Sequence, residues 1–250
     1  MRLERGGSFG PHPPGPWSLL RRTPPEDHHD VGAGRPSGAC RGVVMTEIAA
    51  HPPSVVLYWI PLGAGAHVVR RCGRAYETIV AAWQRRDRCD LYHAALEVHL
   101  DSDRYIIEMT PVWDRADPDR GVVSEGPVGL AWLGRWKWFR YEVRRWRNGL
   151  IPDASYAVDS PCTVSRDRDT ARRLLESIAE FPPGLTWGRD AFGAGDMWNS
   201  NSLIAWLLTC SGHDIDAIVP PPRGRAPGWA AGVAAARQRT ATQPLTTIGA

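Results

Sequence analysis

The sequence predicts an α+β domain, an antiparallel sheet packed with helices. Three observations carry that expectation. Short apolar or alternating runs succeed one another between Leu91 and Val143 with no strong helical pattern among them. Helical segments follow at about 168–180 and 200–210. A helical segment read over Arg74–Arg85 precedes these runs, so that helices bracket them. The length suits one large domain, and the apolar fraction of 43% is ordinary for a globular chain.

The first strand is read in Val55-Val56-Leu57-Tyr58-Trp59-Ile60, an apolar, β-branched run ended by Pro61. Gly63-Ala64-Gly65 follows as a loop and lacks the Gly-Lys-Ser/Thr ending of a phosphate loop. Arg74 to Arg85 fits a short amphipathic helix with Tyr76, Ile79, Val80 and Trp83 on one face, and a hairpin strand over Val68–Ile79 is the competing reading. Leu91–Leu100 and Tyr105–Met109 form a hairpin through Asp101-Ser102-Asp103. Val122-Val123 reads as another short strand. Lys137–Val143 alternates with period two and reads as another. Asp167 or Asp169 caps a helix through Glu180, with Ala171, Leu174, Leu175 and Ile178 on one face, ending before Pro182-Pro183. A last helix runs from Ser200 to Cys210 and stops at Gly212.

Outside these elements the composition changes. Residues 1–44 are rich in Gly, Pro, Arg and His and have no hydrophobic period, so they are expected to be a disordered extension, with the natural start at Met45. Their six Arg and four acidic residues supply +2 of the net charge of +3. One domain is expected over 45–233. The Ala-, Thr- and Gln-rich stretch 234–250 reads as a flexible tail, and Arg223 to Trp229 as a turn-rich closure with Trp229 as a plug.

Several function classes are disfavoured. With 30 basic and 27 acidic residues the balance does not suit a nucleic-acid binder, and no such partner is expected. The band Trp132–Arg147, rich in Trp and Arg, could stack bases or meet a membrane, but a strand with one core face and one basic solvent face accounts for it. No apolar run approaches the ~20 residues of a membrane span, and Trp17–Leu20 is too short for a signal peptide. Cys40, Cys72, Cys89, Cys162 and Cys210 show no metal spacing and read as reduced thiols of a cytoplasmic protein. No metal or cofactor is expected, and His28-His29 reads as solvent-exposed tail. Twelve Trp predict a wide core, an aromatic-lined groove, or both.

Three segments could carry chemistry. His93 lies on a strand, on the face of Ala95 and Glu97 rather than that of Tyr92, Ala94, Leu96 and Val98. It suits a general base, or a structural histidine. Glu108, among apolar residues on the neighbouring strand, could orient an imidazole; alternatively it is an edge carboxylate facing water. Asn199-Ser200-Asn201-Ser202 opens the apolar last helix, where a nucleophile gains from the dipole and free N–H groups. Plain N-capping by Asn199, Ser200 and Asn201 is the competing account.

The order of these segments, Tyr92-His93, Ile107-Glu108, then Asn199-Ser200-Asn201-Ser202-Leu203, resembles the circularly permuted NlpC/P60 group of the papain-like superfamily. The whole chain is also similar to a bacterial family from high-GC genomes. The resemblance implies a papain-like arrangement with His93 as base, Glu108 as its orienter and the nucleophile at Ser200, where the family carries Cys. Asn199 and Asn201 would support the site or its oxyanion. It implies a hydrolase or acyltransferase acting on an amide, ester or thioester, with a small-molecule, lipid or peptide substrate. Serine in place of cysteine departs from the pattern, because a hydroxyl needs full general-base help where a thiol does not. A catalytically inactive binding protein on the same fold is the alternative. Cys210 lies about 15 Å further along the helix and does not fill the gap.

Overall fold

The computed structural model describes residues 51–64, 67–112 and 119–242, with the backbone alone for 67–72. The expected extension over 1–44 and the last residues of the expected tail lie outside the described residues.

Strands β1 (Ser54–Pro61), β2 (Asp90–Leu100) and β3 (Asp103–Pro111) form where the apolar runs predict them. β2 and β3 are a hairpin in register Leu100↔Asp103. Its turn needs a left-handed residue, and Asp101 supplies it at φ 59°. β4 (Val122–Pro127), β5 (Arg140–Arg147) and β6 (Val158–Ser165) complete an antiparallel sheet of order β4-β5-β3-β2-β1-β6. A two-residue strand β7 (Gly224–Arg225) runs parallel to the start of β2.

One face of this sheet carries the main core. Val55, Leu57 and Trp59 of β1, Tyr92 to Val98 at alternate positions of β2, Ile107 and Met109 of β3, and Tyr141 and Val143 of β5 pack against three helices. These are α2 (Arg168–Ser177), α3 (Ser200–Cys210) and α4 (Trp229–Thr242). Asp167 is the cap of α2, accepting from Thr170 N, and Ala171, Leu174, Leu175 and Ile178 are buried as their spacing predicts. α3 is buried on all sides from Ser200 to Leu208, as an apolar helix without a polar face must be. Trp198 and Trp206 are fully buried here, with Phe181 stacked on the first and edge-on to the second.

Four expectations are corrected. The helical reading of the segment after β1 holds, as α1 (His67–Gln84), but of its described side chains and glycine the buried residues are Gly73, Glu77 and Ala81, while Ile79 and Trp83 are 70% and 83% exposed. Glu77 is held by Arg86, at 2.5 Å, and by the Cys89 N–H, at 2.8 Å, so a carboxylate occupies the inward face. The strand expected from Lys137 begins only at Arg140; residues 131–135 and 137–139 are short 3-10 helices with no buried residue. The tail expected from 234 is helical to Thr242. Its Ala residues favour helix, and Ala231, Gly232, Ala235 and Ala236 pack inward. Finally β6 went unread, because its polar residues and Pro161 carry little strand signal; Pro is tolerated on this edge strand.

Candidate active site

The polar opening of α3 divides its labour. Asn199 is the cap, its Oδ1 accepting from Asn201 N at 2.9 Å, while Ser202 Oγ accepts from Asn199 N at 3.0 Å. These two side chains close the helix end, as the capping account predicts. Ser200 takes no part in the cap. Its Oγ lies 2.9 Å from Nδ1 of His93.

Asn201 explains how a helix end reaches a strand histidine. Pairing of β2 with β3 runs only as far as Leu96↔Ile107. Beyond it the free edge of β2 is taken by the Asn201 amide, which accepts from Ala94 N at 2.8 Å and donates to Tyr92 O at 2.9 Å. Leu91 O faces the β1 side, where it accepts from Leu62 N, so Tyr92 and Ala94 present the opposite edge. One side chain thus stands in for a missing strand and seats the start of α3 beside His93. Its amide also donates to Pro227 O, as does Asn199 Nδ2, each at 2.8 Å. Both amide hydrogens of Asn201 are therefore committed, and the backbone N–H groups of Asn199 and Asn201 are taken by Ser202 Oγ and Asn199 Oδ1, so in this arrangement none of these donors is free for an oxyanion. Among the described residues the Ser200 backbone N–H has no acceptor, which leaves it as the donor at this helix end.

Sequence reasoning missed the segment that receives these amides. Gly228 takes φ 93°, and a Cβ there would sit 2.1 Å from Asn199 Oδ1. Its carbonyl accepts from Ser202 Oγ, and its N–H donates to Asp196 Oδ2, both at 2.8 Å. Asp196 also accepts from Ala230 N at 3.2 Å, joining the loop before α3 to the start of α4. Trp229 packs on Trp59 at 5.2 Å, the closure expected of it. The Gly in Pro227-Gly228-Trp229 was the available signal.

His93 is partly buried as a residue, and the packing about its ring penalises the cation. Burial lowers its pKa from 6.5 to about 4, so the imidazole is neutral near pH 7. With the ring proton on Nε2, Nδ1 can accept the Ser200 hydroxyl proton.

Glu108 is brought to the same face of the sheet but not to the ring. Ile106 pairs with Glu97, so Glu108 shares the face of His93, Ala95 and Glu97. It does not face water: it is 4% exposed on a central strand. Its hydrogen bond comes from Arg144 Nη1, at 3.3 Å across the β3–β5 ladder. Arg144 Nε also donates to Glu142 at 2.6 Å, and Arg120 holds the same carboxylate through two donors at 2.6 and 2.9 Å. Burial raises the Glu108 carboxyl, outweighing Arg144. Burial would also raise Glu142, but the hydrogen bonds from Arg120 and Arg144 hold it below its ordinary value. Arg144, expected on a basic solvent face, is 8% exposed within this array.

Cys210 is at the far end of α3, its thiol pushed up to about 11 by burial. A cavity of about 1180 Å³ opens between α1 and the ends of β1 and β2, lined by Arg74, Glu77, Cys89, Tyr92, Tyr156 and Arg223 among others. It adjoins the strand of His93 at Tyr92 but includes neither member of the Ser200–His93 pair. Among the described residues no three His, Cys, Asp or Glu side chains converge as metal ligands, and no helix is long and apolar enough to cross a membrane. Comparison of the chain with family models, with curated proteins and with solved structures finds no match, so the reading of the site rests on its own geometry.

Proposed function

We propose that this chain is an acyl-transfer enzyme, a hydrolase or acyltransferase acting on an amide, ester or thioester through a Ser200–His93 dyad, on a papain-like arrangement of the permuted NlpC/P60 kind. The observation that carries the reading is the 2.9 Å separation of Ser200 Oγ and His93 Nδ1 at the start of a buried helix. Neutral His93 removes the hydroxyl proton as Ser200 Oγ bonds to the substrate carbonyl carbon. The carbonyl oxygen, now an oxyanion, accepts from the Ser200 N–H at the positive end of α3. Collapse expels the leaving group, which takes the proton from the imidazolium. Water or a second nucleophile then releases the acyl group from Ser200 by the reverse steps. Glu108 makes no hydrogen bond to the ring in this arrangement; its Oε1 accepts from Arg144 instead.

That contact favours a second reading, a catalytically inactive binding protein on the same fold. A buried base with no carboxylate beside it is weak, and the engaged Glu108 supports loss of chemistry. Under either reading the substrate or ligand is a small molecule, lipid or peptide. A cytoplasmic location belongs to the proposal and is supported by the free thiols of Cys89, Cys162 and Cys210.

The test is covalent labelling with a fluorophosphonate probe. Label on the native chain that is lost in Ser200→Ala and in His93→Gln supports the enzyme. Equal labelling of native and Ser200→Ala chains overturns it, and no labelling of either leaves the binding protein.

A further inference from the structure

The segment between β4 and β5 exposes a cluster of large apolar side chains that the other described residues do not cover. Within ten residues Leu130, Trp132, Trp136, Trp138 and Phe139 are 40%, 55%, 45%, 65% and 41% exposed. Single exposed apolar residues are ordinary, but five in one short segment mark an interaction surface. The segment is built, not frayed. Val128 N donates to Phe139 O at its base, and Leu133, Trp136 and Phe139 each donate to a carbonyl three residues back. It is tied to the loop leading to α3 through Gly129 N–Trp187 O, Trp187 N–Pro127 O and the Arg189 guanidinium on Gly129 O. No acidic residue occurs from Pro127 to Tyr141. Arg135 and Lys137 are exposed between the rings, whereas Arg140 is paired with Glu125.

We propose that this segment is a peripheral membrane-docking surface, taking the headgroup region of a bilayer that contains anionic lipid. Trp rings prefer the interface between headgroups and chains, and neighbouring cations add attraction to an anionic surface. Three other occupants fit less well. Stacked bases need free ring faces, but Arg135 lies over Trp132 and Trp136 at 5.6 and 5.0 Å, and Lys137 over Trp138 at 5.2 Å. A symmetric pair of chains joined through this segment would gather four cations at one interface, with no acidic residue from Pro127 to Tyr141 to pair them. The chain's own core is excluded because none of residues 131–139 is buried. This proposal stands apart from the Ser200–His93 reading and uses none of its residues.

The experiment is co-sedimentation of the full chain with phosphatidylcholine vesicles, with and without roughly a third phosphatidylglycerol, at low and physiological salt. Binding is expected to the anionic vesicles and to weaken with salt. Arg135→Gln with Lys137→Gln should lower partitioning about thirtyfold, at about five- to sixfold per cation. Trp132→Ser with Trp138→Ser should abolish it. Because these side chains are exposed, all variants should keep the native melting temperature. Trp83→Ser, 83% exposed on α1, should bind as the native chain does. No sedimentation at low salt, or sedimentation unchanged in the Trp132/Trp138 variant, overturns the proposal. So does preferential binding of a single-stranded oligonucleotide, or a dimer that the same variant dissociates without any vesicle binding.

Discussion

Acid should destabilise this protein through His93, by an amount that the burial of its ring sets. The unfolded chain protonates this imidazole near 6.5 and the folded chain only near about 4. Between those values the unfolded state holds a proton that the folded state lacks, so stability is full above the upper value and falls as pH drops toward the lower one. The whole interval is worth about 3 kcal/mol, and the step from pH 7 to pH 4.5 about 2 kcal/mol. Urea unfolding of the native chain and of His93→Gln at the two pH values measures it. His213 and the carboxylates titrate in both proteins, and the hydrogen bond lost with the histidine is lost at both pH values. The difference of differences therefore isolates His93. With a denaturant slope of about 2 kcal/mol per molar, the native midpoint should fall about 1 M further than the variant's. Equal falls would refute the buried neutral imidazole, and with it the claim that His93 is a ready proton acceptor near pH 7.

Two further substitutions test how the site is held. Asn201→Ala removes the amide that pairs with Tyr92 O, Ala94 N and Pro227 O; leaving these groups unpaired should cost about 2–4 kcal/mol, read by chemical unfolding. Gly228→Ala places a Cβ at φ 93°, 2.1 Å from Asn199 Oδ1. It should cost about 2 kcal/mol or more in the same assay and reduce labelling of Ser200.

What could be read from the chain was local. β1, the β2–β3 hairpin, α2 and α3 follow from runs, turn residues and caps within a few positions of one another, and the structure places them within a few residues of those readings. The Ser200–His93 pairing was legible only as an order of segments, since the two residues stand 107 positions apart. The partner of Glu108 was not legible. Arg144 reaches it because β5 pairs with β3, leaving β4 on the outside, and that choice depends on the whole sheet. The period two read over Lys137–Val143 holds only from Arg140, where β5 begins. Trp136 and Trp138 alternate with cations in sequence and yet lie outside the sheet altogether, Trp138 on a 3-10 turn and Trp136 on the extended residue between two such turns. For α1 the apolar side chains gave the wrong face, because Arg86 and a backbone N–H compensate an inward carboxylate.

Glu108 separates the two readings of the site. In an attack by Ser200, His93 must become an imidazolium where burial has already brought its pKa to about 4. Against an ordinary imidazole that costs up to about 3 kcal/mol, on the order of a hundredfold in rate. A carboxylate against Nε2 would offset much of this, and Glu108 projects from the same face of the sheet. Arg144 holds it instead, while Glu142 keeps two hydrogen bonds from Arg120 whether or not Arg144 moves. An enzyme therefore gains from Glu108 changing partners when substrate binds, and a binding protein has no use for the exchange. Glu108→Gln preserves shape and an acceptor for Arg144 but removes the charge. In the enzyme it should slow fluorophosphonate labelling by about tenfold or more, with the unfolding midpoint measured alongside. An unchanged labelling rate in a folded Glu108→Gln chain would exclude Glu108 from the reaction and leave the dyad to work alone.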